Sequence, residues 1–208
     1  RRFAGAQATA LIAAAPAIPL SALMRANFEG LEITGIVINM TARDGSRTGS
    51  VDRISVNKNT VKAGETIELT VIERNESGQF SSRKVPVTIP ADAAPGTVTL
   101  TVGDGNAVQQ NSAITQFTPK SASELISTIN RLKRSDRLYV VLSRTTTGTI
   151  IGSSEMPNLP PSMLATLNND RTAGGSKPSV QTLISEIELP AGDFIINGSQ
   201  TLNIEVTR

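Results

Sequence analysis

Between residues 51 and 102, apolar and polar side chains alternate in short runs, each closed by Gly, Pro or a polar cluster. Val51, Ile54 and Val56 form one run, and Ile67, Leu69 and Val71 another. Val85, Val87 and Ile89 follow, then Val98, Leu100 and Val102. A two-residue period puts alternate side chains on one face, so each run predicts a strand with a buried and a solvated side. Turn signals separate the runs: Lys62-Ala63-Gly64-Glu65, the polar stretch 75–82, and 91–96 with its Pro95-Gly96. Short strands at this spacing predict an antiparallel β sandwich, immunoglobulin-like, over residues 29–118. Upstream, Leu31, Ile33, Ile36, Ile38 and Met40 predict a further long strand, with Gly35 marking a bulge where the alternation shifts. The polar tract 43–50 between them reads as a turn or loop.

The period changes after residue 118. Ser121 and Glu124 stand at capping-box spacing, and Leu125, Ile129 and Leu132 recur on one helical face. Leu138 to Leu142 reads as a buried strand, with Thr149-Ile150-Ile151 as its hairpin partner across 145–148. Pro160-Pro161 starts a short helix over 162–167, and 168–177 is a loop. Strands at 180–189 and 194–206 flank Pro190-Ala191-Gly192. Residues 119–208 are therefore expected to form a small α+β unit that shares or continues the sandwich sheet, with the helix packed on it. The whole chain is mainly β with some α.

Residues 1–28 open with Arg1 and Arg2 before an apolar run, superficially like a signal peptide. Pro16 and Pro19 interrupt that run, and a transmembrane span needs about 20 apolar residues. The reading is a helix over 8–15, a helical turn over 21–28 with Leu23, Met24 and Phe28 inward, and no transmembrane segment. This segment is expected to pack on the fold, in a fragment whose upstream portion is missing.

Composition narrows the chemistry. The 208 residues contain no His, Cys or Trp. Ser-His and Cys-His nucleophile pairs, imidazole metal ligands, thiolate chemistry and disulfides are all excluded. Aromatics make up 3%, which leaves an aliphatic core and argues against stacking platforms for sugars or bases. Twenty basic against eighteen acidic side chains give no strong field for nucleic acid. The absence of Cys does not fix a compartment.

What remains is thin. A Ser-Lys dyad is the most plausible covalent mechanism left open, at Lys120 beside Ser121 or at Lys177 beside Ser176 and Ser179. Both pairs sit in loop or cap settings, where nothing depresses a lysine pKa. Gly103-Asp104-Gly105-Asn106 resembles part of a calcium loop, but Ala107 and Val108 follow and the distal Glu is missing, so a turn explains it. Arg131, Lys133, Arg134 and Arg137 are the densest basic stretch, expected to be a solvated helix terminus rather than an anion site. Gly148-Thr149-Ile150-Ile151-Gly152 lacks the Lys and the following helix of a phosphate loop. Asn39-Met40-Thr41, Asn75-Glu76-Ser77 and Asn197-Gly198-Ser199 match the glycosylation triplet, and a strand location for Asn39 argues against its use. No catalytic, cofactor-binding or metal residue is assigned, and no cofactor is expected.

Val85-Pro86-Val87-Thr88-Ile89-Pro90 leads to Ala94-Pro95-Gly96-Thr97, then Ser123-Glu124-Leu125-Ile126 with Asn130, Leu138-Tyr139-Val140 and Leu159-Pro160-Pro161-Ser162-Met163. Gly198 with Leu202-Asn203-Ile204-Glu205-Val206 closes the series. From about Phe28 onward this order resembles the C-terminal, non-catalytic portion of exported bacterial proteins that begin with a stage IV sporulation protein B-type serine peptidase domain. The resemblance implies an extracytoplasmic accessory module, with the peptidase's His and Ser upstream of these residues and no catalytic residue carried over. The expected function is a non-catalytic accessory or protein-interaction module of a larger envelope or secreted protein. Alternatives are a structural or adhesion sandwich that binds partners by strand-edge pairing, and a His-independent hydrolase. The expected partner is protein, either the upstream domain or an envelope protein.

Overall fold

The computed structural model describes residues 1–26, 28, 32–42, 45, 47–110, 121–151, 154–157, 160, 162, 163, 166 and 176–208, with backbone alone at 147–151, 154, 155, 157 and 176–180. Ten strands and four helices are defined among them. The protein is mainly β, with two sheets.

The alternating runs become strands where expected. β1 (Thr48–Val56), β3 (Thr66–Asn75) and β4 (Phe80–Thr88) pair antiparallel in sequence order. β9 (Ile195–Asn197) adds to β1 in parallel, giving the order β4-β3-β1-β9. In the second sheet, β5 (Gly96–Asp104) is flanked by β10 (Ser199–Thr207) and β6 (Leu138–Ile151). β2 (Thr60–Lys62) pairs with β10 in parallel. β8 (Ser176–Glu188) follows one edge of β6 along its length. β7 (Ser154–Pro157) takes the other edge beyond the end of β5.

The inward side chains of both sheets meet in one aliphatic cluster. Ile67, Leu69, Val71, Val85 and Val87 come from one sheet, and Val98, Leu100, Val102, Val140, Leu142, Ile204 and Val206 from the other. Each such side chain contributes about 1.5–3 kcal/mol when fully buried. The cluster draws on both sides of the expected 118/119 boundary: β5 lies between β10 and β6, and residues 111–120 fall outside the described set.

Several expectations need correction. No strand forms at 32–42, which is irregular and solvent-exposed. An alternating pattern makes a strand only where backbone groups find a partner edge, and here they find none. The hairpin expected across 145–148 is instead a continuous β6; the β-branched run Thr145-Thr146-Thr147 favours extended backbone, and β8 absorbs the irregularity with a register shift between Thr145 and Gly148. The strand expected over 194–206 is divided. Gly198, at φ +87°, lets the chain leave the first sheet as β9 and enter the second as β10.

The helix after Ser121 is α4 (Ala122–Asn130), and the Ser121 hydroxyl accepts the Glu124 N–H at 3.2 Å. Its packing differs from expectation. Only Leu125 is fully buried, Ile129 and Leu132 are half-buried, and none of the three joins the core cluster. α4 lies instead against α2 (Ala17–Arg25).

The N-terminal segment also differs. α1 (Ala8–Ala14) and α2 run on through Ala15 and Pro16, both with helical dihedrals, and neither helix buries a residue. Pro16 takes φ −76° without strain, and its carbonyl accepts the Leu20 N–H at 3.2 Å. Ala8–Arg25 is therefore one 18-residue helical run of mean hydropathy 1.4, long and apolar enough by length and composition to cross a membrane. Signal sequences and buried core helices meet the same criterion. The expected helix at 162–167 and loop at 168–177 lie largely outside the described residues, but residues 176 and 177 already belong to β8 rather than to a loop.

Candidate functional site

Charged side chains converge at three places, and two of them are structural. The first is the end of β5. Asp104 is buried, and it caps α3 (Gly105–Gln110): one carboxylate oxygen accepts the N–H groups of Asn106 at 2.7 Å and Ala107 at 3.0 Å. The other accepts the Gly198 N–H at 2.6 Å, while the Asp104 N–H donates to the Gly198 carbonyl at 3.1 Å. The Gly103–Asn106 stretch is thus not a plain turn but the start of α3. Asp104 ties the start of α3 to the sheet switch at Gly198, and its oxygens are occupied by backbone donors. Among the described residues, no group of three or more acidic side chains is placed to hold a metal.

The second is the segment linking α4 to β6. Asp136 has a fully buried carboxylate held on two sides. Arg134 approaches in a fork, Nε at 3.2 Å and Nη2 at 3.1 Å, and Arg2 adds its Nε at 3.3 Å. Arg2 also reaches the Gly192 carbonyl at 2.9 Å, which pins the N-terminal segment to the loop after β8. Lys133 pairs with Glu186 and sits 5.2 Å from the Tyr139 ring centre. Arg137 stands 3.7 Å from Glu188. The buried Tyr139 hydroxyl accepts the Arg134 N–H at 2.9 Å. The basic stretch is therefore not a solvated helix terminus, because β8 supplies Glu186 and Glu188 alongside it. Sequence reading missed these acids because they lie about 50 residues away.

Burial alone would raise the Asp136 pKa, but the hydrogen bonds and charge of Arg134, with Arg2, outweigh it and hold it below the ordinary value. A folded pKa below the unfolded one gives stability that is complete above about 3.9 and is lost as pH falls through the folded value. Asp136→Asn is accordingly expected to cost about 2 kcal/mol at neutral pH, in the range for charge-assisted hydrogen bonds. Urea unfolding at pH 7 and at about pH 3 should show the gap to wild type shrinking on the acid side. An equal gap at both would mean that ionisation of Asp136 contributes nothing.

The third place is the open side of the molecule. β4 ends one sheet, β8 borders the other, and neither carries a further strand among the described residues. Between them runs a groove of about 550 Å³ lined by Arg83, Lys84, Val85 and Pro86 on one wall and by residues 187–191 on the other. Its lining is largely apolar, and Ile187 of β8, which lines it, is half-buried against the core. Glu73, the buried continuation of the inward row Ile67, Leu69 and Val71, lies 3.3 Å from Arg83, whose other arm donates to the Pro190 carbonyl at 3.0 Å. Burial pushes the Glu73 carboxyl above its ordinary pKa, against the opposing charge of Arg83. Arg83 thereby straps the two edges together at the end of the groove.

The covalent candidates lie mostly outside the described residues. Ser121 is a helix cap, Lys120 lies outside the described residues, and the side chains of Ser176, Lys177 and Ser179 do as well. Gly148 stands within β6, and Gly152 is outside the described set. Asn39 is exposed in irregular chain rather than in a strand, whereas Asn75 is engaged with Gln79 at the β3–β4 turn. The groove had no signal in the sequence, since it arises from two strands about 100 residues apart. Asp104 did carry one, since Asp is a favoured residue just before the first turn of a helix. Comparison with known proteins returns no matching family model, no matching curated protein and no matching solved structure.

Proposed function

We propose that this chain is a non-catalytic accessory or protein-interaction module of a larger exported bacterial protein, built as an immunoglobulin-like β sandwich that contacts its partner at the open side between β4 and β8. The observation that carries this reading is the largely apolar groove between β4 and the end of β8. Partner surfaces of this kind take extended chain, through backbone hydrogen bonds along an edge and side chains inserted beneath it. The buried carboxylates support the same reading, because Asp104 and Asp136 are committed to a cap and to an ion pair. The resemblance of the motif order to that of peptidase-bearing exported proteins is what supports an extracytoplasmic setting. Adhesion by edge pairing is the second reading, favoured by the 13-residue length of β8.

Site-specific photo-crosslinking tests the proposal. A photoreactive residue at Leu183 of β8 or Lys84 of β4, both exposed, is expected to capture a defined protein in the parent's own setting. The same residue at Asn203 of β10, in a doubly paired strand, is expected to capture none. Equal capture at all three positions would overturn the assignment of this face. Turnover of a substrate by the isolated chain, abolished by one of its own substitutions, would overturn the non-catalytic reading.

A further inference from the structure

Arg2 and Arg83 come from distant parts of the chain and meet on one short loop. Residues 189–194 join β8 to β9, and backbone pairing fixes the two ends of that connection. The Leu189 N–H donates to the Leu138 carbonyl at 2.8 Å, and the Ile195 N–H to the Arg47 carbonyl at 2.8 Å. Beyond Leu189, the hydrogen bonds to the loop backbone among the described residues come from two side chains. Arg83 of β4 donates to the Pro190 carbonyl at 3.0 Å, and Arg2 to the Gly192 carbonyl at 2.9 Å. A Cβ on Gly192 would stand 3.0 Å from the Arg83 guanidinium, so both cations close on the same residue. Each is also held by its own buried carboxylate: Arg83 by Glu73 of the first sheet, Arg2 by Asp136 ahead of β6.

The loop belongs to the groove as well. Leu189, Pro190 and Ala191 form part of its wall, opposite Val85 and Pro86. We infer that residues 189–192 are a clasp coupling the N-terminal segment to the groove: with Arg2 seated on Gly192 the wall is held toward β4, and drawing residues 1–26 away loosens it. A loop loses conformational freedom when either arginine binds it, and the second arginine then meets a loop already ordered. The two contacts therefore support each other without touching. Arg83 makes no hydrogen bond or ion pair with residues 1–26 among the described residues, so the shared loop is the link between them. Coupling of this kind is reciprocal, and whatever displaces the groove wall also loosens the N-terminal segment. The inference rests on the interaction-module reading for the use of the groove, and gives that groove a control.

Amide hydrogen exchange of the full chain, read over α2, tests the coupling. Arg83→Lys leaves a cation beside the buried Glu73 but removes the fork that reaches Glu73 and Pro190 together. It is expected to speed exchange in α2 by about fivefold or more, the lower range of such couplings. In an Arg2→Gln background, where the segment is already released, the same substitution should change α2 exchange by under about twofold. Arg2→Gln alone should in turn speed exchange of the Leu189 N–H. Lys84→Gln, which removes the neighbouring ion pair to Glu68, should leave α2 as it is in the wild type. Unchanged α2 exchange in Arg83→Lys, or unchanged Leu189 exchange in Arg2→Gln, would overturn the inference. So would an equal factor in both backgrounds or an equal effect of Lys84→Gln, since a general loss of stability acts alike in each. Photo-capture at Lys84 or Leu183 does not depend on these rates. Loss of the coupling would leave the interaction reading standing, and loss of capture would leave the clasp without a partner to control.

Discussion

Replacing Gly105 by Ala is expected to lower stability by about 3 kcal/mol or more, beyond the usual range for overpacking, because the added methyl meets backbone rather than a yielding side chain. A Cβ on Gly105 would stand 2.6 Å from the carbonyl carbon of Arg134 and 3.1 Å from its nitrogen. The Arg134 main chain is fixed from both directions: its N–H donates to Tyr139, and its carbonyl accepts the Arg137 N–H at 3.2 Å. Relief would therefore require moving the whole 133–137 segment, with Asp136 and its ion pairs. Chemical unfolding with the Ala variant measures the effect. A change under about 1 kcal/mol would show that this contact yields easily, since compliant surface positions fall within such limits.

Asp104→Ala is the second large effect. Three backbone N–H groups, those of Asn106, Ala107 and Gly198, lose their common acceptor at once. Each buried donor left without a partner costs about 1–3 kcal/mol, so a total loss of about 3–5 kcal/mol is expected after partial rehydration. Asp104→Asn retains a side-chain acceptor and should recover a substantial part of it. Amide hydrogen exchange gives the discriminating readout, with loss of protection in the Ala variant spreading to both α3 and the Gly198 switch. Loss confined to α3 would reduce Asp104 to an ordinary helix cap.

The core strands were legible in the sequence, because a strand buried on one face announces itself through its period. Ile67-Leu69-Val71 and Val98-Leu100-Val102 need only their own neighbours to declare which side faces inward. Ser121 was legible for the same reason, since a cap and the N–H it accepts are three residues apart. The failures share the opposite property. Ile33 to Met40 carries a strand period, but whether a period becomes a strand depends on an edge elsewhere. The role of Lys133 depends on Glu186, 53 residues along the chain. The two walls of the groove are likewise long-range: β4 and β8 never pair, and only the meeting of the sheets brings Val85 toward Ile187.

The position of β10 has a consequence for how the molecule is made. It is an interior strand, with β2 on one side and β5 on the other, yet it occupies residues 199–207. Its neighbour β2 was synthesised some 140 residues earlier and, among the described residues, pairs only with it. During translation, the early strands must therefore wait beside an empty lane until residues 199–207 leave the ribosome. Sequence separations of this size slow folding and prolong the time during which sticky edges are bare. Without residues 199–207, β2 would have no strand beside it among the described residues and β5 would lose the partner on one of its two sides, so the second sheet is closed only when these nine residues arrive.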